Sequence, residues 1–394
     1  MRSTLRLSLL VCLLAPGVAS AQQCGGDFRT WLDGVKAEAL AAGASQATVA
    51  ATLDGLTFDQ SIVNRDRAQG VFAQGFLEFS DRMVNQYRLD TGKKQIAKQR
   101  ALFDRIEAEF GVPAAVITAF WALETDFGAV MGDFPVLRSL ATLANDCRRP
   151  ELFRRHLLAA VMLVERGDLQ PQELVGAWAG EIGQVQFLPE DYLLNAVDYD
   201  GDGKRNLLRS VPDVLASAAS LLRSHGWRAG EKWLEEVRVP AEMPWQEADL
   251  KISHPPAQFA AWGVSRVDGS ALGDGPPVSL ILPMGRNGPA FLAYPNFRVF
   301  LKWNQSLVYA TTAAYLGTRL AGAPKVGRGN GLVASLGTAE VKALQQALER
   351  QGYQVGKIDG IIGENTRAAV KDVQMKLGLP ADSYPTAELL TRLR

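Results

Sequence analysis

The sequence predicts a mainly α-helical protein with a small inserted β-containing subdomain and a helical module at its C-terminal end. Three observations predict it. Residues 24 to about 235 repeat their apolar positions with the 3.6-residue period of helices, interrupted by Gly and Pro. Residues about 236–296 lose that period: Pro240, Pro244, Pro255, Pro256, Pro276, Pro277, Pro283 and Pro289 break any helix, and Val278-Ser279-Leu280-Ile281-Leu282 reads as a strand. Residues 322–335 are rich in Gly and read as a linker, after which amphipathic helices resume in residues 336–394. A length of 394 residues suits two or three domains, and 47% hydrophobic content is that of a globular chain.

The elements follow in chain order. Arg2 and Arg6, the apolar run Leu7–Leu14 and the small residues Ala19-Ser20-Ala21 form a secretory signal, with cleavage expected after Ala21. The run is too short for a permanent membrane span, and no later segment is long and apolar enough for one. An exported, periplasmic protein is therefore expected. Cys24 and Cys147 remain after cleavage, and in an oxidising compartment two cysteines form a natural pair; two unpaired buried thiols are the other reading. Lys+Arg and Asp+Glu both number 42, and loss of Arg2 and Arg6 leaves a small acidic surplus. Such a balance gives no overall field for nucleic acid or anionic lipid.

The most apolar helical run of the mature chain is Val116–Gly128, opened by Pro113 near its first turn. Ile117, Trp121 and Glu124 share one stripe; Val116, Phe120, Leu123 and Phe127 fill the next. A helix apolar on most sides is buried. A carboxylate buried without a partner loses hydration and titrates above the usual ~4.3, so it can hold a proton near neutral pH and donate it. Pairing with an Arg, or capping a neighbouring helix, is the bland alternative.

Arg148-Arg149 follow Cys147 and suit solvent, a substrate carboxylate or Glu124. Gly180-Glu181-Ile182-Gly183-Gln184-Val185-Gln186-Phe187 sets amides beside an aromatic ring, a combination that suits sugar hydroxyls and a pyranose face; Glu181 is a candidate second acid. Asp198, Asp200 and Asp202 occupy positions 1, 3 and 5 of a calcium-type loop, with Gly203 at the turn, Lys204 offering its carbonyl and Asn206 at position 9. Position 12 is Arg209 instead of the bidentate Glu, and Asp213 is the next acid. An acidic turn without a metal is the alternative to a structural Ca2+ site. His156, His225 and His254 lack zinc spacing, and no nucleophile elbow, Walker loop or dinucleotide loop is present, which argues against hydride and phosphoryl transfer.

In order, these pieces resemble the lytic murein transglycosylases of the B type, glycoside hydrolase family 103. The resemblance covers about residues 24–321 and rests on Phe120–Gly128, Leu140–Ala144, Arg148-Arg149, Trp178–Pro189, the Asp198 loop and Asn296-Phe297-Arg298 through Tyr309. Residues about 336–394 resemble the three-helix peptidoglycan-binding domain, through Gly352-Tyr353, Asp359-Gly360, Gly363 and Thr366. The resemblance implies a lysozyme-like catalytic domain over 22–321 and Glu124 as a lone acid/base. It implies that Glu124 protonates the oxygen between N-acetylmuramic acid and N-acetylglucosamine and then deprotonates the muramic C6 hydroxyl, which closes a 1,6-anhydro ring. No water is added and no cofactor is required, unlike two-carboxylate glycosidases.

The resemblance also implies that Gln186 and Phe187 line the saccharide groove, that Arg148 and Arg149 contact substrate, and that Trp303, Asn304 and Tyr309 lie across the cleft, with Tyr309 near Glu124. The expected partner is peptidoglycan, and the expected state is a monomer. Two departures stand out: Ala177 replaces a Ser, and Glu181 replaces a small residue. Two other readings survive. One is a muramidase that hydrolyses the same bond, with Glu181 or Asp126 activating water. The other is a non-catalytic wall-binding scaffold.

Overall fold

The computed structural model describes residues 24–68, 74–333 and 335–393; the signal segment 1–21 lies outside the described residues. The described chain opens tied to the helical body. Cys24 is disulfide-bonded to Cys147, and the Gly25 amide donates to the Asn145 carbonyl at 2.7 Å. Helices from Phe28–Ala41 to Val211–Ser224 then build one body around the Ala114–Thr125 helix. Every residue of that central helix is buried except Ala114 and Glu124. Pro113 caps its start in the extended conformation, and Gly111, in the left-handed region, closes the helix before it.

The predicted helical run is not uniform. A short antiparallel ribbon, β1 (Phe134–Pro135) with β2 (Val175–Gly176), interrupts it beside the end of the central helix. Gly176 is required there, because a Cβ would lie 2.0 Å from the Glu181 carbonyl oxygen.

The Pro-rich region forms a four-stranded antiparallel sheet of order β4-β3-β6-β5: β3 (Leu234–Arg238), β4 (Ser265–Arg266), β5 (Ser279–Ile281) and β6 (Ala290–Ala293). Leu234 pairs with Ala293, which pairs with Ser279 on its other side. A separate core of Val237, Trp245, Phe259, Leu280 and Leu292 packs beneath the sheet. The chain then returns to the body as two helices, Phe297–Trp303 and Leu307–Leu320. Phe297 and Phe300 are fully buried, and Phe300 stacks on Phe120 of the central helix at 5.1 Å.

The Gly-rich linker is pinned in place. Gly327 N donates to Glu236 at 2.8 Å, Asn330 Nδ2 to the Val239 carbonyl at 2.9 Å, and Val326 is buried. The terminal module has three helices, Thr338–Arg350, Glu364–Lys376 and Ala387–Arg392, over a core of Leu344, Leu348, Val370, Val373 and Leu389. It docks on the sheet subdomain: Arg367 donates to the Leu282 carbonyl at 2.9 Å, Lys371 pairs with Asp249 at 2.8 Å, and the Arg286 amide donates to Asp382 at 2.9 Å. No single described helix is long and apolar enough to cross a membrane.

The disulfide joins positions 123 residues apart. A cross-link of that span restricts the unfolded chain by about 2–5 kcal/mol. Cys24→Ser, or mild reduction, is therefore expected to lower the thermal midpoint by several degrees, read by calorimetry.

Candidate active site

Glu124 sits on the last turn of the central helix and is half-buried. Two donors meet it from the returning helix pair. Trp303 Nε1 donates to Oε1 at 2.8 Å, and the Tyr309 hydroxyl donates to the same oxygen. Among the described residues no hydrogen bond reaches Oε2, so that oxygen is free to hold a proton. Burial drives the Glu124 pKa up, the Tyr309 and Trp303 bonds pull it partly down, and the nearby Glu181 carboxylate raises it again, for a net value of about 7. Tyr309 is itself buried and pushed well above the ordinary phenol range by burial and by Glu124, so it remains a donor.

Local structure fixes both donors. The Phe297–Trp303 helix ends at Asn304, whose Oδ1 accepts the Ser306 amide at 2.9 Å. Ser306 then caps the next helix, its hydroxyl accepting the Tyr309 amide at 3.3 Å. The break between the helices thus sets Trp303 and Tyr309 on either side of one carboxylate oxygen. Phe120 stacks on Trp303 at 4.1 Å, and Phe187 meets Trp303 edge-on at 5.8 Å.

The end of the central helix is equally constrained. Asp126 and Phe127 have positive φ, 49° and 63°. Arg88 holds Asp126 through Nε at 2.6 Å and Nη2 at 3.0 Å. Gln184 binds the helix end twice and anchors it to the following loop: it accepts from Trp121 Nε1 at 2.9 Å, its carbonyl accepts from the Thr125 hydroxyl at 2.5 Å, and its Nε2 donates to the Leu208 carbonyl at 3.0 Å. Gly128 must lack a Cβ, which would lie 2.6 Å from the Gln184 amide oxygen. The sequence suggested Gln184 as an amide for sugar hydroxyls, but its side chain is spent on Trp121 and Leu208, and it carried no sign of a role for Arg88. Their partners are distant in sequence, so spacing gave no signal.

Other expected site residues stand differently. Phe187 is only 1% exposed and lies behind Trp303; it supports the cleft wall and cannot present a face to a sugar. Gln186 spends its amide on the Met131 and Gly183 carbonyls, at 3.2 and 2.9 Å. Arg148 and Arg149 do not pair with Glu124. Both clamp Asp66, which is buried, while their side chains keep partial exposure. Glu181 is half-buried with its Oε2 enclosed and unpartnered; burial raises its pKa, while the Arg149 charge and nearby amides lower it.

In the acidic loop, one oxygen each of Asp198, Asp200 and Asp202 lies within 4.8 Å of the others. Asp213 does not join them as a ligand. It is fully buried and accepts the Tyr199 and Asn206 amides at 2.8 and 2.7 Å, because the loop's inward amides need an acceptor. Lys204 offers no side-chain ligand, and its amide donates to Asp202 at 2.8 Å. The three aspartates suit a hard cation in donor type and charge, but they supply only part of the roughly six to eight oxygens such a cation takes and leave out the fourth expected acid.

With this geometry in hand, comparison with known proteins identifies the family. The transglycosylase SLT domain matches residues 27–318. The chain belongs to the transglycosylase SLT family. The peptidoglycan binding domain matches residues 337–393. The family member SltB3 of Pseudomonas aeruginosa, solved in complex with NAG-anhNAM-pentapeptide, is 38% identical, with a TM-score of 0.86 over 94% of this chain and 100% of that one. The Escherichia coli lytic transglycosylase Slt35, solved in complex with calcium, is 26% identical, with a TM-score of 0.65 over 78% of this chain and 98% of that one. Membrane-bound lytic murein transglycosylase B of Escherichia coli (strain K12) is 33% identical over 214 residues, which are 54% of this chain and 58% of that relative. The match thus spans little more than half of that relative's length.

The raised pKa of Glu124 has a stability cost with a defined sign. The unfolded carboxyl ionises near its ordinary value, whereas the folded one keeps its proton up to about 7. Stability therefore falls as pH rises through that window. Glu124→Gln removes the cost and should be more stable than the parent above neutrality, by on the order of 1–3 kcal/mol, and equal to it in acid; urea melts at two pH values check this.

Proposed function

We propose that the protein is an exported lytic transglycosylase that cleaves the MurNAc-β-1,4-GlcNAc bond of peptidoglycan and leaves 1,6-anhydroMurNAc ends. The observation that carries this reading is a carboxyl held at about 7 with one oxygen free, in a member of this family. Protonated Oε2 of Glu124 gives its proton to the glycosidic oxygen as the C1–O bond breaks. The muramic C6 oxygen then bonds to C1, and its proton passes to Glu124, which regenerates the acid. No water is consumed. Tyr309 and Trp303 on Oε1 hold the carboxyl in one orientation through both proton transfers, and their bonds strengthen in the ionised half of the cycle.

The exposed part of Trp303, with Asn304, Gln186 and the Arg148-Arg149 pair, supplies the proposed contacts to glycan and stem peptide. SltB3, co-crystallised with NAG-anhNAM-pentapeptide, supports the substrate class. The residue 337–393 module is proposed to hold the wall. The protein is read as periplasmic and monomeric. We also propose that Asp198, Asp200 and Asp202 hold a structural Ca2+, with the Lys204 carbonyl; Slt35 in complex with calcium supports it. The ion would brace the loop and take no part in the reaction.

The hydrolytic reading is weaker for Asp126, which is fully engaged by Arg88. Digestion of purified sacculi should release muropeptides with anhydro ends, lighter by one water than reducing ends. Glu124→Gln should lose about 10²–10⁴-fold in rate. Reducing ends as the main product, or an active Glu124→Gln, would refute the reading. Chelator should lower the melting temperature by a few degrees, reversibly with Ca2+, without changing the products.

A further inference from the structure

We propose that Gln184 is a positioning residue for Glu124: its side-chain amide and its backbone carbonyl clamp the helical turn that carries the carboxyl, and so hold the free Oε2 in register with the bond to be cleaved. This rests on the acid/base reading of Glu124 given above. Glu124 lies within the turn Trp121–Thr125, and Gln184 bonds both ends of that turn. Trp121 Nε1, three residues before Glu124, donates to the Gln184 side-chain oxygen at 2.9 Å. The Thr125 hydroxyl, one residue after it, donates to the Gln184 carbonyl at 2.5 Å. The last turn of a helix frays by default, because its carbonyls lack partners. Here the Thr125 hydroxyl also accepts the Gly128 amide at 2.8 Å, so the chain leaving the turn is tied to the same clamp.

The clamp is itself seated on the body. The Gln184 amide donates to the Leu207 carbonyl at 2.9 Å and its Nε2 to the Leu208 carbonyl at 3.0 Å. Gly183 lets the two segments meet, since a Cβ there would lie 2.6 Å from the Leu207 carbonyl oxygen. Residues 206–208 are fixed in turn. The Asn206 amide donates to buried Asp213 at 2.7 Å, and the Leu207 amide to the hydroxyl of fully buried Tyr192 at 3.1 Å. The place between helix and loop needs one acceptor and one donor. The Trp121 indole N–H can only donate and the Leu208 carbonyl can only accept, which fixes the orientation of the amide between them. Gln184 is buried with both side-chain atoms engaged, so it acts through the helix and not on a sugar. Trp303 and Tyr309 orient the carboxyl about its own bonds; Gln184 sets where the backbone beneath it stands. An acid displaced by about 1 Å from its substrate oxygen loses up to about 100-fold in rate.

The test is steady-state kinetics on soluble, uncross-linked peptidoglycan strands. Gln184→Met keeps the length of the side chain and loses both of its bonds; it should lower kcat about 10–100-fold and leave KM unchanged. A folded Gln184→Met protein with the parent kcat overturns the proposal. So does one whose KM rises at constant kcat, because the amide would then be holding sugar. Gln184→Glu supplies a second readout. Protonated, the new carboxyl accepts from Trp121 and donates to Leu208; ionised, it can only accept. Relative to the parent at the same pH, Gln184→Glu should run near the parent rate at about pH 5 and lose about 10-fold or more at about pH 8. A constant ratio across that range overturns the proposal. Trp121→Phe removes the same bond from the other side, and the double variant with Gln184→Met should lose less than the product of the two single losses. Losses that multiply overturn it. An active Glu124→Gln would instead sink the acid/base reading on which this one rests.

Discussion

A carboxyl taken out of water at the end of a buried helix is the constraint that organises this molecule. Burial alone would favour its neutral form so strongly that it could not serve as a base; full solvation would leave it ionised and useless as an acid. The fold strikes the balance with two donors on one oxygen and, among the described residues, none on the other. Those donors come from a stretch of chain 179 and 185 residues away from Glu124, so the site exists only when the helix pair after the sheet has packed against the central helix. The stacked rings of Phe120, Phe300 and Trp303 make that packing rigid, and removal of a ring such as Phe120 would open a void costing ~3–5 kcal/mol.

Strain is concentrated at the same place. Two consecutive non-glycine residues with positive φ follow Glu124, a conformation that ordinarily costs about 1–3 kcal/mol per residue. The Arg88–Asp126 pair, the Gln184 contacts and the absence of a side chain at Gly128 hold it there. The end of the helix is thereby turned sharply away, which leaves the last carboxyl uncovered on one side instead of sealed beneath a further turn.

Much of this was legible in the sequence. The apolar run around Glu124 is continuous, and period alone announces a buried helix. The prolines between Pro240 and Pro289 announce the change to strands. What spacing could not reveal were contacts closed across the fold. Gln184 and Gln186 look equivalent as letters, yet one grips the central helix and the other its own loop. Phe187 reads as a sugar platform, but antiparallel pairing with Ile182 turns it inward. Asp213 sits at a plausible ligand spacing and is instead consumed by backbone amides. The Gly-rich run from 322 to 335 suggests slack, whereas hydrogen bonds to the sheet subdomain hold it down.

That last feature bears on how such a protein meets its polymer. A carbohydrate-recognition unit on a floppy leash raises local concentration and leaves the catalyst to wander. Here Arg367, Lys371 and Asp382 bolt the terminal helices to the body, so both ends of the molecule keep one spacing and one heading. A strand gripped at the far end would reach the cleft at a set phase of its disaccharide repeat, and the choice of bond would be a matter of metrology, not of chance encounter.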